Sequence, residues 1–195
     1  DVANVAPVAN AGDDQTVNEG TQVTFNGSGT DVPGDPVTLV WDLDNDGAFD
    51  DGAGATATFT YPDNGVITAR LRATDDEGAS SIDTLTVTVN NVAPTANAGN
   101  DQTVNEGTQI TLDGSGSTDP GTGDTLTYAW DLDADGQYDD ATGAIIQHTY
   151  TDEVTVVVGL RVTDDDGGIG TDTVTITVLN VTPVVQAGND VTVNA

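Results

Sequence analysis

Hydrophobic residues in this chain recur at every second position, in short runs. Val23 and Phe25 alternate with polar residues, as do Ile110 and Leu112. Val37, Leu39, Trp41 and Leu43 share one parity, and Leu126, Tyr128, Trp130 and Leu132 repeat it. Later runs carry Ile67, Ala69, Leu71 and Ala73 against Val156, Val158, Leu160 and Val162, then Leu85, Val87 and Val89 against Val174, Ile176 and Val178. The run through Ala57, Phe59 and Tyr61, with its mate Ile146, His148 and Tyr150, is less clean. A period of two predicts half-buried strands, and no stretch has helical spacing. Turn-forming clusters such as Gly27-Ser28-Gly29 and Asp119-Pro120-Gly121 separate the runs. About seven short strands around one central tryptophan predict an immunoglobulin-like antiparallel β-sandwich, so the fold class is all-β.

The pattern occurs twice and begins a third time. Asn4-Val5-Ala6-Pro7 returns as Asn91-Val92-Ala93-Pro94 and again as Asn180-Val181-Thr182-Pro183. From Trp41 onward, a shift of 89 positions turns Trp41 into Trp130, Tyr61 into Tyr150, Arg72 into Arg161 and Asp75 into Asp164. Residues 1–3 read as the tail of a linker, 4–90 as one repeat, 91–179 as a second, and 180–195 as the first strand of a third. A lone first strand cannot bury an apolar face, so the end reads as a cut within a tandem array. The short, proline-bearing link Asn90-Asn91-Val92-Ala93-Pro94 favours a semi-rigid connection over loose beads.

Charge narrows the function classes. Thirty-three acidic residues face three arginines and no lysine, a formal net charge of −30. Such a chain repels itself at low salt, so bound cations or high ionic strength should favour its compact state. It has no basic patch for nucleic acid or an anionic membrane. No apolar run approaches a membrane span, so insertion is not expected. Low hydrophobicity with high charge can signal disorder, but the regular strand period argues against it. Absence of cysteine excludes disulfides and thiolate chemistry. With the acidity, it fits an extracellular or cell-surface protein bathed in calcium.

The densest chemistry follows each tryptophan: Trp41-Asp42-Leu43-Asp44-Asn45-Asp46-Gly47 and Trp130-Asp131-Leu132-Asp133-Ala134-Asp135-Gly136. Alternate carboxylates can converge on one ion, and the glycine permits the sharp turn around it. An all-oxygen set suits Ca2+ better than a transition metal. An EF-hand would close with a glutamate at its twelfth position; Ala53 or Thr142 stands there instead, leaving Asp50 and Asp51, or Asp139 and Asp140, to close the loop. The competing reading is an acidic, solvated Asp-Gly hairpin turn. Repulsion among three close carboxylates favours the ion. Strand parity assigns Trp41, Leu43, Trp130 and Leu132 to the core and turns Asp42, Asp44, Asp46 and their mates the other way. It also makes the tryptophans core residues rather than sugar platforms. His148 reads as a strand-edge residue, and Arg72 and Arg161 as partners of nearby carboxylates.

The Asn-x-x-Pro openings, the Gly114-to-Pro120 loop, the Trp-Asp motif and a Tyr-led strand ending Thr-Asp-Asp together resemble polycystic-kidney-disease (PKD) domains. The resemblance covers both complete repeats and the stub. The family's usual Trp-Asp-Phe-Gly-Asp-Gly gains an acidic position here, Asp44 or Asp133. The resemblance implies non-catalytic modules and, in calcium-binding members, an ion at the domain entrance. Matched residue by residue, those ligands would be Asn91, Asp119 and Asp164 in the second repeat and Asn4, Asp31 and Asp75 in the first; the shorter loop of the first repeat makes Asp31 the looser match. From residue type alone, the turns at Asp75-Asp76-Glu77-Gly78 and Asp164-Asp165-Asp166-Gly167 are equally readable as plain hairpins.

The leading expectation is therefore a calcium-stabilised spacer, adhesive or filament-building segment whose partners are neighbouring repeats, like molecules or an extracellular polymer. The alternative is an accessory substrate-binding module of a secreted hydrolase, on protein fibre or polysaccharide. Enzymatic activity is not expected: the carboxylate pairs lie in turns at repeat-related positions, and no nucleophile set or phosphate loop appears.

Overall fold

The computed structural model describes residues 4–186 and residue 188, so the strand expected in the stub after Asn180 falls largely outside the described residues. The described residues hold sixteen strands and no helix. They form two compact units: 4–95 with 118–127 and 162–170, and 96–117 with 128–161 and 171–186.

In the first repeat the strands are β1 (Val8–Asn10), β2 (Gln15–Asn18), β3 (Gln22–Asn26), β4 (Ser28–Thr30), β5 (Thr38–Asp42), β6 (Gly52–Ala53), β7 (Thr56–Thr60), β8 (Gly65–Thr74) and β9 (Ser80–Asn90). A five-stranded sheet runs β2-β9-β8-β5-β6, facing two-stranded pairs β3-β7 and β1-β4. One pairing departs from the antiparallel expectation: β2 runs parallel to β9, Gln15 opposite Val87 and Asn18 opposite Asn90. Its position at the sheet edge explains why the period of two, which is blind to strand direction, could not show it.

The core is the one the alternation predicts. Val23, Phe25, Trp41, Leu43, Ala57, Tyr61, Ala69, Leu71, Leu85, Val87 and Val89 form a single buried cluster. Phe25 packs on Trp41 with ring centroids 5.8 Å apart. The indole N–H of Trp41 donates to the Gly54 carbonyl at 3.0 Å, so the buried ring leaves no orphan donor. Phe59 and Ile67 are only partly buried, which is why the run through Ala57 and Phe59 reads less cleanly.

The second repeat repeats the scheme with β10 (Gln102–Asn105), β11 (Gln109–Asp113), β12 (Thr127–Asp131), β13 (Ala141–Thr142), β14 (Ile145–Thr149), β15 (Val154–Thr163) and β16 (Ile169–Leu179). The sheet order is β10-β16-β15-β12-β13, with β11 paired to β14. Trp130 is fully buried and donates to the Gly143 carbonyl at 2.9 Å. His148 sits opposite Ile110 in the β11-β14 pair, with its ring edge-on to Tyr150 at 4.4 Å. In each repeat the tyrosine ending the uneven run donates its hydroxyl to the leucine carbonyl of the acidic loop, Tyr61 to Leu43 and Tyr150 to Leu132, both at 2.8 Å. Burial, with the loop carboxylates behind it, pushes each hydroxyl up to about 12.

One expectation is corrected. Arg72 and Arg161 do not pair with carboxylates: Arg72 lies over the Phe49 ring at 4.4 Å and Arg161 over Tyr138 at 5.1 Å. On the sheet surface an aromatic face offers a cation desolvated contact that an exposed carboxylate does not. Among the described residues the ion pair is Arg70 with Asp42, at 3.4 Å.

Candidate metal centres

Each acidic loop leaves the core strand directly after the tryptophan, so the sandwich fixes its first carboxylate. In the first repeat Asp42, Asp44 and Asp51 bring one oxygen each within 4.8 Å of one another. Asp51 closes the loop by accepting the N–H groups of Leu43 at 2.6 Å and Asp44 at 3.1 Å through one oxygen. Asp44 accepts from Asp46 N–H, and Asp46 from Ala48 N–H. Asn45 and Gly47 both adopt positive φ, 65° and 93°, the backbone that wraps a loop around a point. Parity alone sends Asp42 away from the core; the structure buries it completely and leaves its Oδ1 without a hydrogen-bond partner. Its other oxygen faces Arg70.

In the second repeat the converging group is Asp131, Asp133 and Asp135. Asp140 does what Asp51 does, accepting from Leu132 N–H at 2.6 Å and Asp133 N–H at 3.3 Å. Asp131 accepts from Asp135 N–H and Gly136 N–H. Ala134 takes φ of 63°, an unusual value for alanine that the loop imposes at the position of Asn45. Gly159 stands where the first repeat has Arg70, so no guanidinium reaches this loop. The hydrogen bond from Asp135 N–H lowers the Asp133 carboxyl, but burial and the charges of Asp135, Asp140 and Asp131 outweigh it, leaving a net upward shift. Asp50 and Asp139 are exposed and belong to neither group.

Of the residues implied at the domain entrance, the structure joins the opening asparagine to the strand-ending aspartate in each repeat, while Asp119 converges with Glu19 and Asp124 instead. Asn91 donates to Asp164 Oδ2 at 3.2 Å, and Asn4 to Asp75 Oδ2 at 3.0 Å. Asp164 Oδ1 accepts from Asp166 and Gly168 N–H; Asp75 Oδ1 accepts from Ala79 N–H. Burial raises the Asp75 carboxyl, but hydrogen bonds from Asn4, Ala79, Gly78 and Glu77 more than reverse that. Both aspartates are thus engaged in holding turns. Within the entrance sets Asp31 Oδ2, Asp119 Oδ2 and Asn91 Oδ1 are buried without partners, as are Glu19 Oε2 and both oxygens of Asp124 outside them.

Glu19 and Asp124 escaped the sequence reading. A faint signal exists: Asn18-Glu19-Gly20-Thr21 recurs as Asn105-Glu106-Gly107-Thr108, and Asp35 lies 89 positions before Asp124. Glu19 is 1% exposed and belongs to the first unit with Asp119 and Asp124; the three carboxylates bring oxygens within 4.8 Å. Burial pushes Asp124 up to about 7, reinforced by Glu19, Asp119, Asp63 and Asp165. Burial also raises Glu19 against the hydrogen bond from Val92 N–H. A carboxyl with a raised folded value favours the fold while protonated and loses that contribution as pH climbs from its ordinary value of about 4 through about 7. In EDTA the chain is therefore expected to melt at a lower temperature at pH 8 than at pH 6, and Asp124→Asn to flatten that slope. Thermal scans of both proteins across this range check it; equal slopes contradict it.

Residues 4–89 and 91–178 each match the PKD domain family. The chain is also similar to the human dyslexia-associated protein KIAA0319, 38% identical over 137 residues, which make up 64% of this chain and 12% of that protein. Among solved structures it is similar to the PKD domain from the KIAA 1837 protein, at 24% identity and a TM-score of 0.38 over 50% of this chain and 98% of that one. It is also similar to the complex of Dpr11 IG1 with DIP-gamma IG+IG2, at 13% identity and a TM-score of 0.45 over 89% of this chain and 99% of that one. With both of its full repeats matched, the chain belongs to the PKD domain family.

Proposed function

We propose that this is a non-catalytic, calcium-stabilised tandem PKD segment, acting as a spacer or adhesive or filament-building element of a large extracellular or cell-surface protein. The observation that supports the reading is the convergence of three carboxylates at each acidic loop, Asp42, Asp44 and Asp51 in the first repeat and Asp131, Asp133 and Asp135 in the second, where Asp140 closes the loop. In the first loop the buried, unpartnered Asp42 Oδ1 adds an acceptor with nothing to accept from. Asp42, Asp44 and Asp51, and Asp131, Asp133 and Asp135, would hold the ions. Hard anionic oxygens in a loop with adjustable geometry suit calcium over magnesium, which demands a tighter octahedron. Each bound ion would offset the local repulsion among its three carboxylates in a chain whose net charge is −30. The role is structural: the ion sits on the loop that the core tryptophan strand and the tyrosine hydroxyl both anchor. Calorimetric titration of the chain with calcium tests it; absence of binding in the millimolar range overturns it.

One observation favours the second reading, an accessory module on a polymer. An open recess of about 540 Å³ in the second repeat is lined by Leu132, His148, Tyr150, Val154 and Val156 beside Asp133 and Asp140. Saturable retention on an insoluble polysaccharide or protein fibre would support that reading, and free passage would leave the spacer.

A further inference from the structure

In the second repeat, β14 (Ile145–Thr149) is an open edge: among the described residues it pairs with β11 alone. Gly114 N–H donates to the Ala144 carbonyl at 2.7 Å, in the register that sets Leu112 opposite Ile146 and Ile110 opposite His148. Antiparallel pairs exchange hydrogen bonds at every second position, so Ile146 and His148 spend their N–H and C=O groups on β11. Those of Ile145, Gln147 and Thr149 turn outward. The Thr111 carbonyl, opposite Gln147, fits this alternation, since it is free to accept the Gln102 side chain at 2.9 Å. The strand carries no lysine, carboxylate or proline, devices that usually blunt an exposed edge.

The recess of about 540 Å³ lies at the C-terminal end of this edge. Leu132, Val154 and Val156 give it apolar walls, and His148 and Tyr150 add two rings 4.4 Å apart. The Tyr150 hydroxyl is committed to the Leu132 carbonyl, so the ring offers its carbon surface. Asp133 and Asp140 line the acidic side. Asp140 spends Oδ2 on the N–H groups of Leu132 and Asp133, which leaves Oδ1 for a partner. In the first repeat Phe59 and Ile67, packed against the core, stand at the positions of His148 and Val156. Smaller side chains at those two positions leave this space open in the second.

We propose that β14 is a docking edge for an extended basic segment of a partner protein, which adds as a further strand and places an arginine or lysine in the recess. The outward backbone groups of Gln147 and Thr149 supply the ladder. Side chains alternate along a strand, so every second residue of the segment faces the recess side. A long cationic side chain meets both halves of the lining. Its apolar stem lies on Leu132, Val154 and Val156, and its charge faces Asp133 and Asp140 beside the Tyr150 ring. Charge selects the partner: thirty-three acidic residues against three arginines repel an acidic segment and draw a basic one. No arginine lines the recess to compete for its two carboxylates. The proposal rests on the recess of the polymer reading above and narrows its occupant to a peptide; calcium has no part in it.

The test is calorimetric titration of the whole chain, in calcium buffer, with the peptide acetyl-Thr-Arg-Thr-Arg-Thr-Arg-Thr-amide. Two control peptides replace its arginines by glutamate, or its inner threonines by proline, which brings no N–H to a ladder. The double variant His148→Phe, Val156→Ile gives the recess the first repeat's residues, and its thermal midpoint checks that it folds. The expected result is saturable binding of the arginine peptide alone, about tenfold weaker in the double variant. Amide exchange at Gln147 and Thr149 should slow in the complex. Absence of binding, or equal affinity in the chain and the folded double variant, overturns the proposal. Equal affinity for the proline peptide overturns it too, because attraction to net charge needs no ladder. A neutral oligosaccharide that perturbs His148 and Tyr150 where the arginine peptide does not also overturns it, and returns the recess to the polymer reading. The double variant keeps Asp131, Asp133 and Asp135, so failure here and failure of calcium binding are read separately.

Discussion

Trp130→Ala is expected to destabilise the second repeat by about 3–5 kcal/mol, the usual cost of emptying an aromatic site in a packed core. The ring is fully buried, with its Cζ2 edge against Gly114, where an added Cβ would sit 3.3 Å away. The substitution also strips the Gly143 carbonyl of its donor. A small domain holds about 5–15 kcal/mol in all, so this single change brings the repeat near the edge of folding. Trp130→Phe separates the two contributions: it keeps most of the packing and loses the hydrogen bond, at a cost of about 1–3 kcal/mol. Urea unfolding followed by circular dichroism reads both. A cost below about 0.5 kcal/mol, as for an exposed position, would place the tryptophan outside the core.

Asp133→Asn should change sign with the solution. The asparagine oxygen can still accept the Asp135 N–H that Asp133 Oδ1 accepts now, so the turn survives. Without calcium, removing one of three converging carboxylates relieves repulsion, and stability rises or holds. With calcium, the variant loses a charged ligand. A site 99% saturated, with ligand at about 100 times its dissociation constant, stabilises the fold by about 2.7 kcal/mol, and most of that should vanish. The solvated-turn reading predicts the same small effect in both buffers. The opposed signs, read from urea midpoints with and without EDTA, distinguish an ion loop from an acidic hairpin. The first loop should respond less to calcium than the second, because Arg70 already supplies a cation to Asp42 while Gly159 leaves Asp131 with backbone donors alone.

Local patterns in the sequence carried the fold. Val23 and Phe25, Trp41 and Leu43, and Leu85, Val87 and Val89 are buried as their parity requires, because a strand's two faces differ only by the period of two. The spacing of Asp42, Asp44 and Asp46 likewise announced a loop whose backbone curls on itself. What stayed hidden depends on partners far along the chain. The parallel edge of β2 on β9 is a pairing choice that neither strand's composition encodes. Burial of Asp42 follows from Arg70, a residue one strand away whose charge gives no hint of its partner. Arg72 chose an aromatic ring over the abundant carboxylates. Glu19 and Asp124 lie more than a hundred positions apart, each alone looks like an ordinary acidic turn residue, and only folding sets their oxygens together.

The claim that joins these observations is that calcium completes the fold, and thermal unfolding of the chain in EDTA, in magnesium and in calcium tests it most directly. Each kcal/mol shifts the midpoint of a small domain by about 4–8 °C, so filled sites should raise it by about 10 °C or more in millimolar calcium. Magnesium should recover only a small part of that rise, since its rigid, reluctantly shed hydration shell suits these loops poorly. A midpoint that is the same in EDTA, magnesium and calcium contradicts the account.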